Sequence, residues 1–69
     1  MKTLKLRSEY ITLGQLLKAE GFAEDGVEAK MRIKNGDAAV NGETEVRRGR
    51  KLYAGDVVTI DGETVRVTS

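Results

Sequence analysis

The chain has 69 residues, with 12 Lys and Arg against 11 Asp and Glu, and a formal net charge of +1. It contains no Cys and no His, which excludes disulfides and metal sites built on thiolate or imidazole ligands. No apolar run approaches the roughly 20 residues of a membrane span, and no apolar segment typical of a signal peptide follows the basic N-terminus. We therefore expect one cytoplasmic domain over residues 1–69, with its core at about 11–67 and a short N-terminal arm or edge strand at 1–10.

Charge is segregated along the chain. An acidic stretch at 20–28 contains Glu20, Glu24, Asp25 and Glu28. A basic stretch at 30–34 contains Lys30, Arg32 and Lys34. The densest basic stretch, here called the basic loop, is Arg47-Arg48-Gly49-Arg50-Lys51. Such local patches, rather than the net charge, determine the field that a bound phosphate would experience.

The first predicted helix begins after Thr12. Gln15 follows Thr12 by three residues, which is the pattern of a capping box. The spacing of Leu13, Leu16 and Leu17 places one apolar stripe toward a core. Gly21 can adopt the positive φ that commonly ends a helix. Phe22 comes next, and we expect it in the core between two helices.

The second predicted helix begins at Asp25, where Glu28 completes the pattern of another capping box. Ala29 and Ile33 are four residues apart and share an apolar face. Lys30 and Lys34 have the same spacing, which predicts a basic stripe on another face. Asn35-Gly36 ends this helix.

The remainder of the chain predicts antiparallel hairpins. Asn41-Gly42 and Asp61-Gly62 are strong signals for type I′ turns, in which both central residues have positive φ. Short β-branched segments flank these turns, and Ala54-Gly55-Asp56 predicts a further turn. The sequence therefore predicts an α+β fold with two N-terminal helices packed on one face of a small antiparallel sheet of hairpins.

Residues for catalysis are scarce. There is no His to act as a general base, and the Ser and Thr residues are scattered and explained as caps or strand residues. The chain has neither a Walker-type nor a dinucleotide-binding glycine motif. We interpret the acidic stretch as a helix N-terminus and a solvated face, and not as a metal or glycosidase site. We expect no enzymatic activity, no cofactor, no metal and no small-molecule substrate.

The basic loop has two open interpretations, phosphate binding and a solvated loop. Arginine presents a planar fork that matches phosphate oxygens, and Gly49 allows either a close backbone approach or a positive φ. The basic loop and the helix stripe flank the Asn41-Gly42 hairpin, so they share one surface if the hairpin folds back onto the helix. We expect Tyr10 and Tyr53 at the core edge, which favours recognition by shape and phosphate over base stacking.

Several segments together resemble the ribosomal-protein-S4-type RNA-binding domain, whose two helices and hairpin form the αL motif. The matching segments are Gly21-Phe22-Ala23, Ala29-Lys30, Ile33-Lys34-Asn35-Gly36, Val40-Asn41-Gly42 and Gly55-Asp56-Val57-Val58. With the basic loop and Leu52-Tyr53, the chain is most similar to stand-alone, single-domain bacterial members. The resemblance implies binding to structured RNA, often ribosomal RNA, and no catalysis.

The chain also departs from the family pattern. Many members open the first helix with Arg-Leu-Asp, where this chain has Thr12-Leu13-Gly14, and open the second with Ser-Arg, where it has Asp25-Gly26. Two arginines that usually contact RNA are therefore missing. The predicted RNA-binding residues are Lys18, Lys30, Arg32, Lys34, Arg47, Arg48, Arg50 and Lys51. Ribosomal proteins are further candidate partners, and an alternative function is a protein adaptor on the ribosome that uses the acidic stretch.

Overall fold

The computed structural model describes residues 1–69 and contains seven strands and two helices. The N-terminal half contains β1 (Lys2–Lys5), β2 (Ile11–Thr12), α1 (Leu13–Ala19) and α2 (Gly26–Lys34). The C-terminal half contains β3 (Ala38–Val40), β4 (Glu43–Thr44), β5 (Lys51–Leu52), β6 (Val57–Ile60) and β7 (Glu63–Thr68). The predicted α+β fold, with two helices followed by hairpins, is confirmed.

Helix α1 begins with the predicted capping box. The Thr12 hydroxyl accepts a hydrogen bond from the Gln15 N–H, and the Gln15 side chain accepts one from the Thr12 N–H. These two bonds satisfy N–H groups that have no partner within the helix. At the other end Gly21 has a φ of 79°, and the Phe22 N–H donates to the Leu17 carbonyl. This is the bond of a Schellman motif, and it ends α1 where the sequence predicts.

Helix α2 is capped differently from the prediction. The Asp25 carboxylate accepts a hydrogen bond from the Glu28 N–H, as expected for an N-cap. The Glu28 carboxylate, however, accepts from the Glu24 N–H, one residue before the cap, so the predicted capping box is only half present. Gly36, with a φ of 86°, ends the helix. Neither helix has the length and apolar character needed to cross a membrane.

The main sheet has the strand order β1-β7-β6-β3-β4. Both predicted I′ turns are present, because Asn41 and Gly42 have φ values of 52° and 86°, and Asp61 and Gly62 have values of 54° and 75°. They connect the antiparallel pairs β3–β4 and β6–β7. Of the two expectations for residues 1–10, the edge strand is present; it lies parallel to β7, so the sheet is mixed and not wholly antiparallel as predicted.

A second, two-stranded sheet joins the start of α1 to the basic loop. Strands β2 and β5 pair Ile11 with Leu52 and Thr12 with Lys51. The contact continues into the helix, where the N–H groups of Leu13 and Gly14 donate to carbonyls of the basic loop, each at 2.9 Å. These are again N–H groups of a first helical turn that need outside partners. The backbone of the basic loop is thereby fixed against α1.

The core contains 13 buried apolar residues, of which Ala23 lies between the helices and the others belong to both helices and to β3, β5, β6 and β7. Leu13, Leu16 and Leu17 of α1 are fully buried, and Ile33 of α2 is buried with them. The prediction that Phe22 lies in the core between the helices is wrong. Its ring is half-buried and packs against the periphery of the core, since it sits just after the C-terminal turn of α1.

Candidate nucleic-acid interface

Glu45 binds two arginines of the basic loop. Glu45 is only 7% exposed, and its carboxylate accepts hydrogen bonds from the Arg47 guanidinium at 3.0 and 3.1 Å and from Arg50 at 2.8 Å. It also accepts from the backbone N–H of Arg47. The side-chain hydrogen bonds from Arg47, and next the one from Arg50, lower the pKa of Glu45 to about 2. Arg47 and Arg50 therefore neutralise a nearly buried carboxylate within the chain.

Arg32 of α2 is bound in a similar way. Its guanidinium donates two hydrogen bonds to Asp61, one to Asp37 and one to the carbonyl of Phe22. The bonds to Asp61 and Asp37 raise the pKa of Arg32 further above its ordinary value, and the bond from Arg32 lowers the pKa of Asp61. Arg32 thus links α2 to the turn between β6 and β7.

The remaining predicted cations have no carboxylate partner in the chain. Lys30 and Lys34 of α2 line a surface depression of about 380 Å³ together with Val46 and Arg48. No ion pair within the chain involves Lys30, Lys34, Arg48 or Lys18. The structure therefore brings the helix stripe together with one residue of the basic loop, Arg48.

A second depression adjoins the first at Arg48. It has a volume of about 220 Å³, and its lining combines the first turn of α1 and the start of α2 with Lys18, Arg48 and Gly49. We define the cationic surface as the four cations that line these two depressions: Lys18, Lys30, Lys34 and Arg48.

Two glycines of this region have different surroundings. Gly14 is buried against the basic loop, and a Cβ there would lie 3.4 Å from the carbonyl oxygen of Arg48, in ordinary van der Waals contact. Gly49 does not adopt a positive φ, and a Cβ there would meet open space. Of the two roles predicted for Gly49, only a close approach by a ligand fits this geometry.

The two tyrosines lie on the surface. Tyr10 is 38% and Tyr53 45% exposed, and their ring centroids are 6.0 Å apart. The Lys51 ammonium nitrogen lies 4.8 Å from the centroid of the Tyr10 ring, which is within the range of a cation–π contact. The prediction that both tyrosines belong to the core edge is therefore wrong.

Two carboxylates of the acidic stretch cap the start of α2. Asp25 and Glu28 accept hydrogen bonds from backbone N–H groups at the start of α2, which is the helix N-terminus interpretation made from the sequence. No group of three or more His, Cys, Asp or Glu residues is arranged to hold a metal ion.

Sequence reasoning missed the role of Glu45. A signal was present, because Glu45 and Arg47 are only two residues apart, close enough in the chain for their side chains to form an ion pair. It was overlooked because a carboxylate beside a basic run is ordinarily solvated, and only the fold shows that Glu45 is nearly buried. The pairing of Arg32 with Asp61, 29 residues apart, has no local signal of this kind.

Residues 4–68 match a family model described as S4 domain. The chain therefore belongs to the S4 domain family, and the resemblance drawn from its sequence motifs is confirmed.

Similar proteins extend this assignment. The chain is 46% identical over 59 residues to a Bacillus subtilis protein named "Probable ribosome maturation protein RlbA", covering 86% of this chain and 83% of that protein. It is 37% identical to the Escherichia coli protein named "Putative RNA-binding protein YbcJ", with full coverage of both.

Two solved structures are also similar. The solution structure of E. coli YbcJ, described as revealing an αL motif involved in RNA-binding, matches with a TM-score of 0.74 at 37% identity, covering 100% of this chain and 89% of that one. The crystal structure of 30S ribosomal protein S4e from Thermoplasma acidophilum matches with a TM-score of 0.64 at 25% identity, covering 87% of this chain and 32% of that one.

Proposed function

We propose that this protein binds structured RNA through the cationic surface. The observation that carries the proposal is the depression where Lys30 and Lys34 of α2 meet Arg48 of the basic loop with no carboxylate partner. Lysine and arginine side chains left unpaired by the protein are available to phosphate oxygens, and their binding releases counterions from the RNA. Cations from two separate elements also allow a folded backbone to be recognised by its shape.

The proposal divides the predicted RNA-binding residues into two groups. Arg32, Arg47 and Arg50 mainly position the fold and the basic loop, because their guanidinium groups are bound to carboxylates of the chain. Arg47 is nevertheless 71% exposed in its side chain, so it makes a secondary contribution to the field at the RNA. The primary contacts come from the cationic surface, with Lys51 at its periphery.

The names of the relatives support a more specific partner. One relative is named for ribosome maturation, and a structural relative is a protein of the 30S ribosomal subunit. We therefore propose ribosomal RNA, or an intermediate of ribosome assembly, as the RNA in the cytoplasm, with ribosomal proteins as neighbours. In this role the protein is a binding module without catalysis of its own.

A salt titration tests the proposal. Binding to a folded RNA hairpin is measured by filter retention between 50 and 200 mM salt, for the wild type and for Lys34→Gln/Arg48→Gln. Each phosphate contact that is lost should reduce the slope of log K against log salt by about one, so we expect a reduction of about two. The matched control is Lys2→Gln/Arg66→Gln, which removes the same charge from strands β1 and β7.

The control separates specific contacts from a general loss of charge. If the two double variants weaken binding equally, net charge rather than the cationic surface determines affinity, and the proposal fails. It also fails if the wild type does not bind the hairpin at 50 mM salt.

A further inference from the structure

Tyr10 and Tyr53 form an exposed aromatic pair that the cationic surface does not include. They are the two tyrosines of the chain, and their rings are 6.0 Å apart at an interplanar angle of 51°. Neither phenol hydroxyl hydrogen-bonds to another residue, so the fold makes no use of either polar group. Packing of the core does not require the pair either, because neither ring belongs to the buried cluster.

The surroundings of this pair are cationic. Lys51 lies over the Tyr10 ring, and Tyr10 lines an open groove of about 530 Å³ that also contains Lys5 and Arg7. None of these three cations has a carboxylate partner in the chain. Proteins bind single-stranded nucleic acid with this combination of exposed aromatic rings and unpaired cations, because bases stack on the rings and the cations contact phosphates.

The groove is also continuous with the cationic surface. Gln15 of α1 lines both the groove beside Tyr10 and the depression beside Arg48. Strand pairing also connects the two regions. Lys51, which lies over Tyr10, pairs with Thr12. Thr12 in turn lines the same depression as Arg48. The shared lining residue and the paired strands make the groove beside Tyr10 contiguous with the cationic surface.

We propose that Tyr10 and Tyr53 stack an unpaired base of an RNA strand that emerges from the structured part of the RNA held on the cationic surface. The inference rests on the proposed function and deepens it, since it makes a junction between paired and unpaired RNA the preferred ligand. Lys51, Lys5 and Arg7 contact the phosphates that flank the stacked base. Stacking on aromatic rings tolerates any base, so the junction is selected by its shape and not by its sequence.

The test compares two RNA ligands. One is a blunt hairpin, and the other is the same hairpin with a single-stranded extension of about four nucleotides, prepared at the 5′ end and separately at the 3′ end. We expect one extension to tighten binding about fivefold or more, which is the lower end of the range for one base stacked on an aromatic ring. The chain has no Trp, so its intrinsic fluorescence reports on these two tyrosines alone, and we expect that extension to quench it more than the blunt hairpin does.

Substitutions identify the stacking residues. Tyr10→Leu and Tyr53→Leu keep an apolar side chain but cannot stack, so each should abolish most of the gain from the extension while leaving blunt-hairpin binding unchanged. Tyr10→Phe and Tyr53→Phe keep the ring and are the matched controls, which should retain the gain. Circular dichroism checks that each variant folds, and because both tyrosines are exposed we expect all four variants to fold.

The outcomes separate this inference from the proposed function. If the blunt hairpin binds but neither extension improves affinity or quenching, the stacking site is overturned and the proposed function stands. The same conclusion follows if the leucine variants keep the gain, because the base then binds elsewhere. If neither RNA binds, both proposals fail. If the leucine variants instead lose an RNase-resistant protein partner and nothing else, the aromatic pair is a protein contact and the inference is wrong.

Discussion

Arg47 and Arg48 are neighbours in the sequence but have opposite environments in the structure. Arg47 binds Glu45 with its guanidinium and its backbone N–H, whereas Arg48 has no ion pair and lies in a depression beside two lysines of α2. Helix α2 shows the same contrast, because Arg32 is bound to Asp37 and Asp61 while Lys34 is unpaired. A run of cations therefore does not define a binding surface. The carboxylates within reach decide which cations stay available.

The largest effect on stability is expected from the loss of Glu45. Glu45→Ala leaves two arginines without their partner and removes several hydrogen bonds from a nearly buried site, so we expect the free energy of unfolding to fall by about 2 kcal/mol. Urea denaturation measures this change. Glu43→Ala, at an exposed position of β4, is the control and should have little effect. Equal losses in the two variants would mean that the Glu45 cluster does not stabilise the fold.

Arg32 and Lys34 provide the next comparison. Arg32→Gln breaks the link between α2 and the β6–β7 turn, and we expect about 1 kcal/mol of lost stability, because the partly exposed partners limit the value of these ion pairs. RNA affinity should change little. Lys34→Gln should have the reverse profile, with unchanged stability and weaker RNA binding. Urea denaturation and hairpin binding are measured on both variants. If the two variants change stability and RNA affinity in the same way, Arg32 and Lys34 do not have the separate roles proposed here.

Protonation of Glu45 near pH 4 should lower the free energy of unfolding by less than the substitutions of Glu45 and Arg32 do. The pKa of Glu45 is lowered from 4.5 to about 2 in the folded chain, so its contribution is complete above pH 4.5 and is lost as the pH falls toward 2. We therefore expect the stability of the wild type to fall more steeply between pH 4.5 and 3 than that of Glu45→Gln. Thermal unfolding at a series of pH values measures both curves. Parallel curves would show that Glu45 titrates normally in the folded chain.

The smallest effect is expected from single substitutions in the basic loop. Arg48→Gln should reduce the salt dependence of hairpin binding by about one phosphate contact, and Arg47→Gln by less, because Arg47 already neutralises Glu45. The two variants have the same charge and differ by one position, so each controls for the other. A larger effect at Arg47 would reverse the assignment.

Much of the fold follows from local patterns. The α1 capping box, the glycine-terminated helices and both I′ turns depend on residues only a few positions apart, so short sequence windows predict them. The parallel pairing of β1 with β7 was not predictable in this way. It joins residues at opposite ends of the sequence, and no turn or helix between adjacent elements specifies it.

The candidate site was less predictable for a related reason. The basic residues are visible in the sequence, but Glu45 and Asp61 decide which of them stay unpaired, and their positions depend on the tertiary fold. The exposure of Tyr10 and Tyr53 was missed because two isolated aromatic residues usually pack against a core. Here β2 and β5 form a separate small sheet, and each tyrosine adjoins one of its strands at the surface.

The position of β7 has a consequence for the order in which this protein can fold. Strand β7 is the last element along the chain, yet it lies between β1 and β6 in the sheet. During synthesis β1 therefore has no partner strand until residues 63–68 have been made. Until then the core against which α1 and α2 pack also lacks Val65 and Val67. We expect the sheet to be completed in one late folding step. A chain that stops before β7 would leave β1 without a partner strand and would expose one edge of β6, which remains paired with β3 on its other side.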